Sequence, residues 1–137
     1  MADVKRPLPK LADPDTGPFW EATKKHELRY QTCDACSGIV FFPRSHCTHC
    51  LGQKLSWRIS KGDGTIYTYS VVRKNYHPYF AKRAPYAVAW IDLDEGFRMM
   101  SNIVGVEDPI REIKVGQRVR VEWEDQEELS LPMFRPI

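Results

Sequence analysis

The sequence predicts a mainly β protein in two parts: a four-cysteine metal ribbon led by a short helix, then a small five-stranded Greek-key barrel of the OB type. Three observations carry this. All four cysteines fall in two CxxC pairs, Cys33 with Cys36 and Cys47 with Cys50, with ten residues between the pairs. From Thr65 onward, alternating apolar and polar residues recur in short segments bounded by turn residues. Between these regions stands Gly62-Asp63-Gly64, read as a turn at the boundary. The expected division is an extended Pro-rich arm over residues 1–18, helix plus ribbon over 19–61 and barrel over 62–137.

In chain order, Pro7, Pro9, Pro14 and Pro18 break the first segment into an arm that sustains neither a helix nor a central strand. Residues 18–27 read as a short helix with Pro18 in its first turn, where a missing N–H costs nothing. Phe19 and Trp20 sit at its start, either packing it onto the body or facing a ligand or partner. Leu28 to Thr32 forms a strand into the first cysteine pair, and Ile39 to Phe42 a strand out of it, stopped by Pro43. Leu55, Trp57 and Ile59 alternate with Ser56, Arg58 and Ser60 as a third strand.

Two residues between cysteines let one turn aim both sulfurs at a single ion, and two such turns complete a tetrahedral four-thiolate site. Gly38 and Gly52 follow each pair by two residues and are expected to turn the backbone through positive φ, so that N–H groups face the thiolates. The spacing alone leaves three occupants open: structural zinc, an iron of the electron-carrier kind, or two disulfides. Disulfides need an oxidising compartment, and the start of this sequence has no apolar stretch suited to a signal peptide. A closed four-thiolate site leaves no position for water or substrate, so its metal folds the chain and performs no reaction. His46 and His49 are expected to be exposed loop histidines.

In the second part, Ile66, Thr68, Ser70 and Val72 are assigned to one face of the first barrel strand, with Tyr67, Tyr69 and Val71 on the other. Residues 85–93 make the second strand, and Asp94-Glu95-Gly96 turns into a third with Phe97, Met99, Ser101 and Ile103 on one face. Asp92, Asp94 and Glu95 are read as turn carboxylates. A short helical or irregular link covers Pro109 to Lys114. A fourth strand follows, with Val119, Val121 and Trp123 buried against exposed Arg118, Arg120, Glu122 and Glu124. A last strand near Leu129, Leu131 and Met133 ends at Pro136.

With 42% hydrophobic residues over 137 positions, the chain can hold one ordinary core and a small metal-stapled module. No run approaches a membrane span, so a soluble, cytoplasmic protein is expected. Residues 1–83 carry 14 basic and 7 acidic side chains, whereas residues 84–137 carry 6 and 11. That asymmetry suits a partner or anionic ligand at one side better than a nucleic acid wrapped around the whole. The loop from Arg73 to Arg83 adds Lys74, Tyr76, Tyr79, Phe80 and Lys82, cations and rings suited to CoA phosphates and adenine, to a partner or to a single strand. No nucleophile elbow, HExxH motif or phosphate loop occurs.

The order of parts is specific. A Phe-Trp-Glu helix, Cys-x-x-Cys-x-Gly, Phe-Phe-Pro-Arg, a second Cys-x-x-Cys, Gly-Thr-Ile-Tyr-Thr-Tyr-Ser-Val-Val and Leu-Pro-Met-Phe-Arg-Pro follow one another from Phe19 to the end. This chain resembles acyl-CoA-associated proteins that join a rubredoxin-like zinc ribbon to a C-terminal OB fold. The resemblance implies structural zinc at Cys33, Cys36, Cys47 and Cys50, and no catalytic residues in this chain. It further implies a non-catalytic companion of a thiolase-like acyltransferase, a steroid side-chain retro-aldolase or a hydratase, steadying that enzyme and helping form its CoA or acyl site. Phe19, Trp20, Arg73, Lys74, Tyr76, Tyr79, Phe80, Lys82 and Arg83 are the candidate contacts. The alternative is a nucleic-acid-binding ribbon and OB module.

Overall fold

The computed structural model describes residues 4–137. Helix α1 (Gly17–Thr23) is shorter than expected. It closes with a Schellman turn, in which Glu27 N–H donates to Ala22 O at 3.2 Å and His26 N–H to Thr23 O at 2.9 Å. His26 takes the left-handed position, φ +59°, that glycine or asparagine usually signals. Residues 24–27, read as helix from their composition, therefore form a turn. Thr23 is fully buried, donates to Trp20 O and accepts the Ser130 N–H at 3.0 Å, tying the helix to the last strand.

Strands β1 (Leu28–Cys33), β2 (Ile39–Val40) and β3 (Leu55–Ser60) form an antiparallel sheet in the order β2-β1-β3. The second strand is only two residues long because Phe41 leaves the ladder to pack between Phe19 and Phe97, with ring centroids 5.7 and 4.8 Å away. Gln31, buried in β1, holds the following loop by both amide groups, donating to Arg44 O and accepting from Arg44 N–H. Ile59 is exposed, so the alternation in β3 buries neither of its faces fully.

The expected Gly-Asp-Gly turn narrows to Lys61-Gly62. Asp63 and Gly64 already belong to β4 (Asp63–Val72). Gly62 has φ +82°, and a Cβ on it would stand 2.3 Å from Val121 Cγ1. Gly62→Ala should therefore lose about 2–4 kcal/mol, from left-handed strain plus overpacking. Val121→Ala in the same chain should recover part of this in urea denaturation, because it opens the space the new methyl needs.

The strands β4, β5 (Tyr86–Leu93), β6 (Arg98–Ile103), β7 (Arg118–Asp125) and β8 (Ser130–Pro136) close into a barrel in the order β4-β5-β6-β8-β7. A short helix α2 (Pro78–Ala81) lies between β4 and β5, and α3 (Pro109–Glu112) between β6 and β7. This is the OB arrangement, with its single parallel contact at Ile103 and Phe134.

The alternation expected in β4 holds only up to Tyr67. The register to β5 shifts between Ile66 and Thr68, and this bulge places half-buried Tyr69 on the side of Ile66 while Tyr67 and Thr68 face out. Tyr69 then donates its hydroxyl to Ile113 O at 2.7 Å. On β7 only Val119 is fully buried. Val121, Trp123 and Glu124 are half-buried, because the end of β7 rises beyond the core to meet α1 and the arm. There Trp123 stacks on His26 at 5.4 Å with the rings 5° from parallel.

The ribbon and barrel share one core. Phe19 and Leu28 join Ile66, Ile91, Phe97 and Phe134 in a single buried cluster. The 94–96 turn plugs into the ribbon: Tyr30 stacks on Phe97 at 4.9 Å, and Glu95 accepts from the Ser60 hydroxyl and the Lys61 N–H.

The carboxylates called turn residues are ion-paired on the outer barrel wall or, for Glu95, bonded to the ribbon. Arg118 holds Asp94 through two 2.7 Å hydrogen bonds, Arg120 holds Asp63 at 2.7 Å and Arg98 holds Asp92 at 2.6 Å. The Arg120 guanidinium keeps the Asp63 carboxyl below the ordinary range, and Arg118 does the same for Asp94. Because these folded pKa values are depressed, the stabilisation is complete above the unfolded value of about 4 and is lost as pH falls below it. Acid titration of unfolding should be shallower in Asp63→Asn and Asp94→Asn than in the parent chain.

Candidate metal centre and adjoining groove

The two cysteine pairs sit on equivalent turns. After the first, Ser37 N–H donates to Cys33 O and Cys33 N–H to Gly38 O. After the second, Leu51 N–H donates to Cys47 O and Cys47 N–H to Gly52 O. The positive φ angles fall on Ser37 (+61°) and Leu51 (+64°), one residue before the glycines expected to carry them. The glycines answer a different need, close approach to sulfur. A Cβ on Gly38 would lie 2.5 Å from the His49 ring and 3.1 Å from Cys36 Sγ, and one on Gly52 would lie 3.3 Å from Cys50 Sγ. The Gly38 N–H reaches Cys36 Sγ at 3.4 Å and the His49 N–H reaches Cys47 Sγ at 3.3 Å, donors that favour charged sulfur.

All four Sγ atoms lie within 4.8 Å of one another. Cys33 and Cys50 are 3.6 Å apart, as are Cys36 and Cys47. A tetrahedron of 2.3 Å Zn–S bonds has edges of about 3.8 Å, so the sulfurs stand where zinc would place them. Bonded sulfurs would be at about 2 Å, and all four cysteines are free. The donor set, four thiolates and no carboxylate or open position, fits a structural zinc ion. Without an ion the clustered thiols share protons unevenly. Backbone donation from Cys50 draws Cys47 down to about 6. Cys36 keeps its proton up to about 12, its Gly38 hydrogen bond being outweighed by the neighbouring thiols and burial. His46 and His49 are exposed, and His49 Nε2 pairs with Ile39 O at 3.0 Å, outside the sulfur cluster.

Away from the cysteines, three clefts open around the arm. One of about 250 Å³ lies between the 73–85 loop and the barrel, walled by Phe80, Arg83, Tyr86, Asn102 and Met133. A second of about 210 Å³ runs between the barrel and the α1 and ribbon aromatics, Trp20, Phe41 and Phe42. A third of about 470 Å³ opens outward past Lys5, Tyr79, Arg83 and Glu127. Arg6 lines all three.

The expected contact residues divide accordingly. Trp20, Tyr79, Phe80 and Arg83 face these clefts, and Phe19, itself buried, forms part of the floor of the second. Arg73, Lys74, Tyr76 and Lys82 are exposed beyond them, Tyr76 at 87%. The loop is ordered by its own polar groups: Asn75 donates to the Tyr86 hydroxyl and accepts from His77 N–H, and His77 Nδ1 caps α2 by accepting from Tyr79 N–H. Arg83 lies 3.6 Å over the Tyr79 ring. Arg6 carried no sequence signal, since an isolated arginine in a proline-rich arm has no periodicity to place it, and the alternation that put Asn102, Glu124 and Met133 on strands did not mark them as cleft walls.

Comparison with known proteins matches two modules in order along the chain. The rubredoxin-like zinc ribbon domain of ChsH2 matches residues 20–56, and the C-terminal OB-fold domain of ChsH2 matches residues 57–124. A probable enoyl-CoA hydratase alpha subunit of Thermomonospora curvata is 36% identical over 96% of this chain, which spans 40% of that subunit's length. A DUF35 domain-containing scaffold protein of Methanothermobacter thermautotrophicus is 33% identical over 74% of this chain and 80% of its own. A solved chain of the Ltp2-ChsH2(DUF35) aldolase superposes with a TM-score of 0.82 at 35% identity, over 96% of this chain and 98% of that one. With both of its modules matched in order, the chain belongs to the ChsH2 (DUF35) family, a rubredoxin-like zinc ribbon joined to a C-terminal OB fold.

Proposed function

We propose that this chain is a non-catalytic accessory subunit of an acyl-CoA enzyme, a thiolase-like acyltransferase, a steroid side-chain retro-aldolase or a hydratase. It steadies that enzyme and completes its CoA or acyl site in the cytoplasm, where thiols remain available to zinc. The observation that carries this reading is the near-complete superposition on a chain of an aldolase whose name joins two proteins. The chemistry of the groove supports it: apolar and aromatic walls suit an acyl chain, and the basic loop at one end suits phosphates. Each histidine has a structural task or faces solvent at the ribbon, His26 against Asp125 and Trp123, His77 as a helix cap.

The nucleic-acid alternative is disfavoured by the two loops that frame an OB ligand face. Residues 73–83 carry Arg73, Lys74, Lys82 and Arg83, but the facing 126–129 loop carries Glu127 and Glu128. A phosphate backbone laid across both would meet like charge.

Tagged purification from the native cell, with co-eluting proteins identified by mass spectrometry, tests the reading. The expected companion is an acyl-CoA enzyme that loses activity or stability without this chain, while the chain alone turns over no acyl-CoA. Turnover by the isolated chain overturns the proposal. Exposed Tyr76, with Lys74 Nζ 5.1 Å from its ring, is the expected anchor on the partner. Tyr76→Ala should weaken assembly by about 2 kcal/mol with folding unchanged, and Lys74→Ala should mainly alter its salt dependence.

A further inference from the structure

Arg6 belongs to a stretch that the rest of the molecule holds by little else. Among the described residues, no backbone hydrogen bond joins residues 4–9 to the barrel, and Val4 and Leu8 are exposed. Further along, Leu11 packs on Leu129, Leu131 and Met133. The Arg6 side chain, by contrast, is only 15% exposed. It pairs with Glu124 at 3.4 Å, and its guanidinium carbon stands 5.3 Å from the Phe80 ring centre and 5.6 Å from that of Tyr79. The first two clefts share Arg6, Asn102 and Met133 as walls, so the arginine lies where one would run into the other.

We propose that the proline-rich arm is a displaceable strap and that Arg6 is its plug. With Arg6 seated, the groove is two short clefts. With Arg6 withdrawn, they join along Asn102 and Met133 into one channel that takes an extended apolar chain, its polar remainder lying towards Arg83 and Lys82. Prolines suit the task, since a chain without backbone hydrogen bonds to the barrel leaves at little cost and returns with few conformations to search. The ion pair to Glu124 sets how firmly the strap is shut. This inference rests on reading the groove as the ligand site of the accessory subunit.

The test uses the full chain and a neutral fluorophore that brightens in apolar surroundings, N-phenyl-1-naphthylamine. A strap closed in nine molecules of ten lowers apparent affinity about tenfold, so Arg6→Ala should bind the probe about tenfold more tightly than the parent chain. Glu124→Gln, which keeps the arginine and removes its partner, should shift affinity the same way by less, and it decides the matter if Arg6→Ala fails to fold. Saturating probe should also speed tryptic cleavage after Lys10 in the parent chain. Unchanged or weaker binding in the variants makes Arg6 a fixed wall and overturns the strap, as does absence of probe binding in every form. Neither result touches the accessory-subunit reading, which stands or falls on the co-purified enzyme.

Discussion

Cys47→Ser should strip the metal and unfold the ribbon, leaving a barrel that keeps its strands but melts at lower temperature. Cys47 is 1% exposed and packs with Cys33 and Val40 in a cluster of its own. Leu28, Tyr30 and Phe41 tie the base of the sheet to the main core, but three buried residues cannot hold the two cysteine turns, whereas structural zinc supplies on the order of 10 kcal/mol. Loss of the ribbon also uncovers Phe97, which Tyr30 and Phe41 now flank at 4.9 and 4.8 Å. Metal analysis should fall from one zinc per chain to less than half, and amide exchange should lose protection across residues 28–60 while β5 keeps it. A colourless protein with full zinc in the parent chain, and an intact ribbon in a metal-free variant, would mean that the cysteines are incidental to folding.

Phe134→Ala should cost about 3–5 kcal/mol, the usual range for deleting a fully buried ring. Phe134 has no exposed surface, sits in β8 opposite both Ile103 and Val121, and lies in the core cluster shared by helix, ribbon and barrel. Its neighbour Arg135 is exposed and paired with Glu122 at 3.4 Å, so Arg135→Ala should cost under about 0.5 kcal/mol. Urea denaturation of the two variants separates the readings, since equal losses would contradict the placement of β8. Trp123 holds a lesser position than its period-two pattern promised. It is half-buried against a histidine rather than in the core, and truncating it should cost less than truncating Phe134.

What the sequence made legible follows from which forces are local. Cysteine spacing encodes the metal site directly, because sulfurs two residues apart on a turn reach one ion wherever the turn lies. Period-two burial encodes β6 well, with Phe97, Met99 and Ile103 buried as their alternation requires. Three features escaped it for nameable reasons. The β4 bulge depends on how ten residues pair with β5, and no composition rule marks Tyr67 as the extra one. Helix α1 ends at a histidine in a position where glycine is the usual signal. Arg6 is set in the groove by Glu124, 118 positions away, and by the rings of α2, a purely tertiary placement.

Phe41 connects two things that look separate. It follows Val40, which packs against Cys33 and Cys47, and it stands in the wall of the second cleft. One peptide unit therefore joins the metal cluster to the groove. By thermodynamic reciprocity, if zinc binding changes the affinity of the groove for an occupant by some factor, that occupant changes the affinity for zinc by the same factor. An apolar chain that orders Phe41 on filling the cleft should make zinc harder to extract, and chelator competition with and without that chain measures the factor.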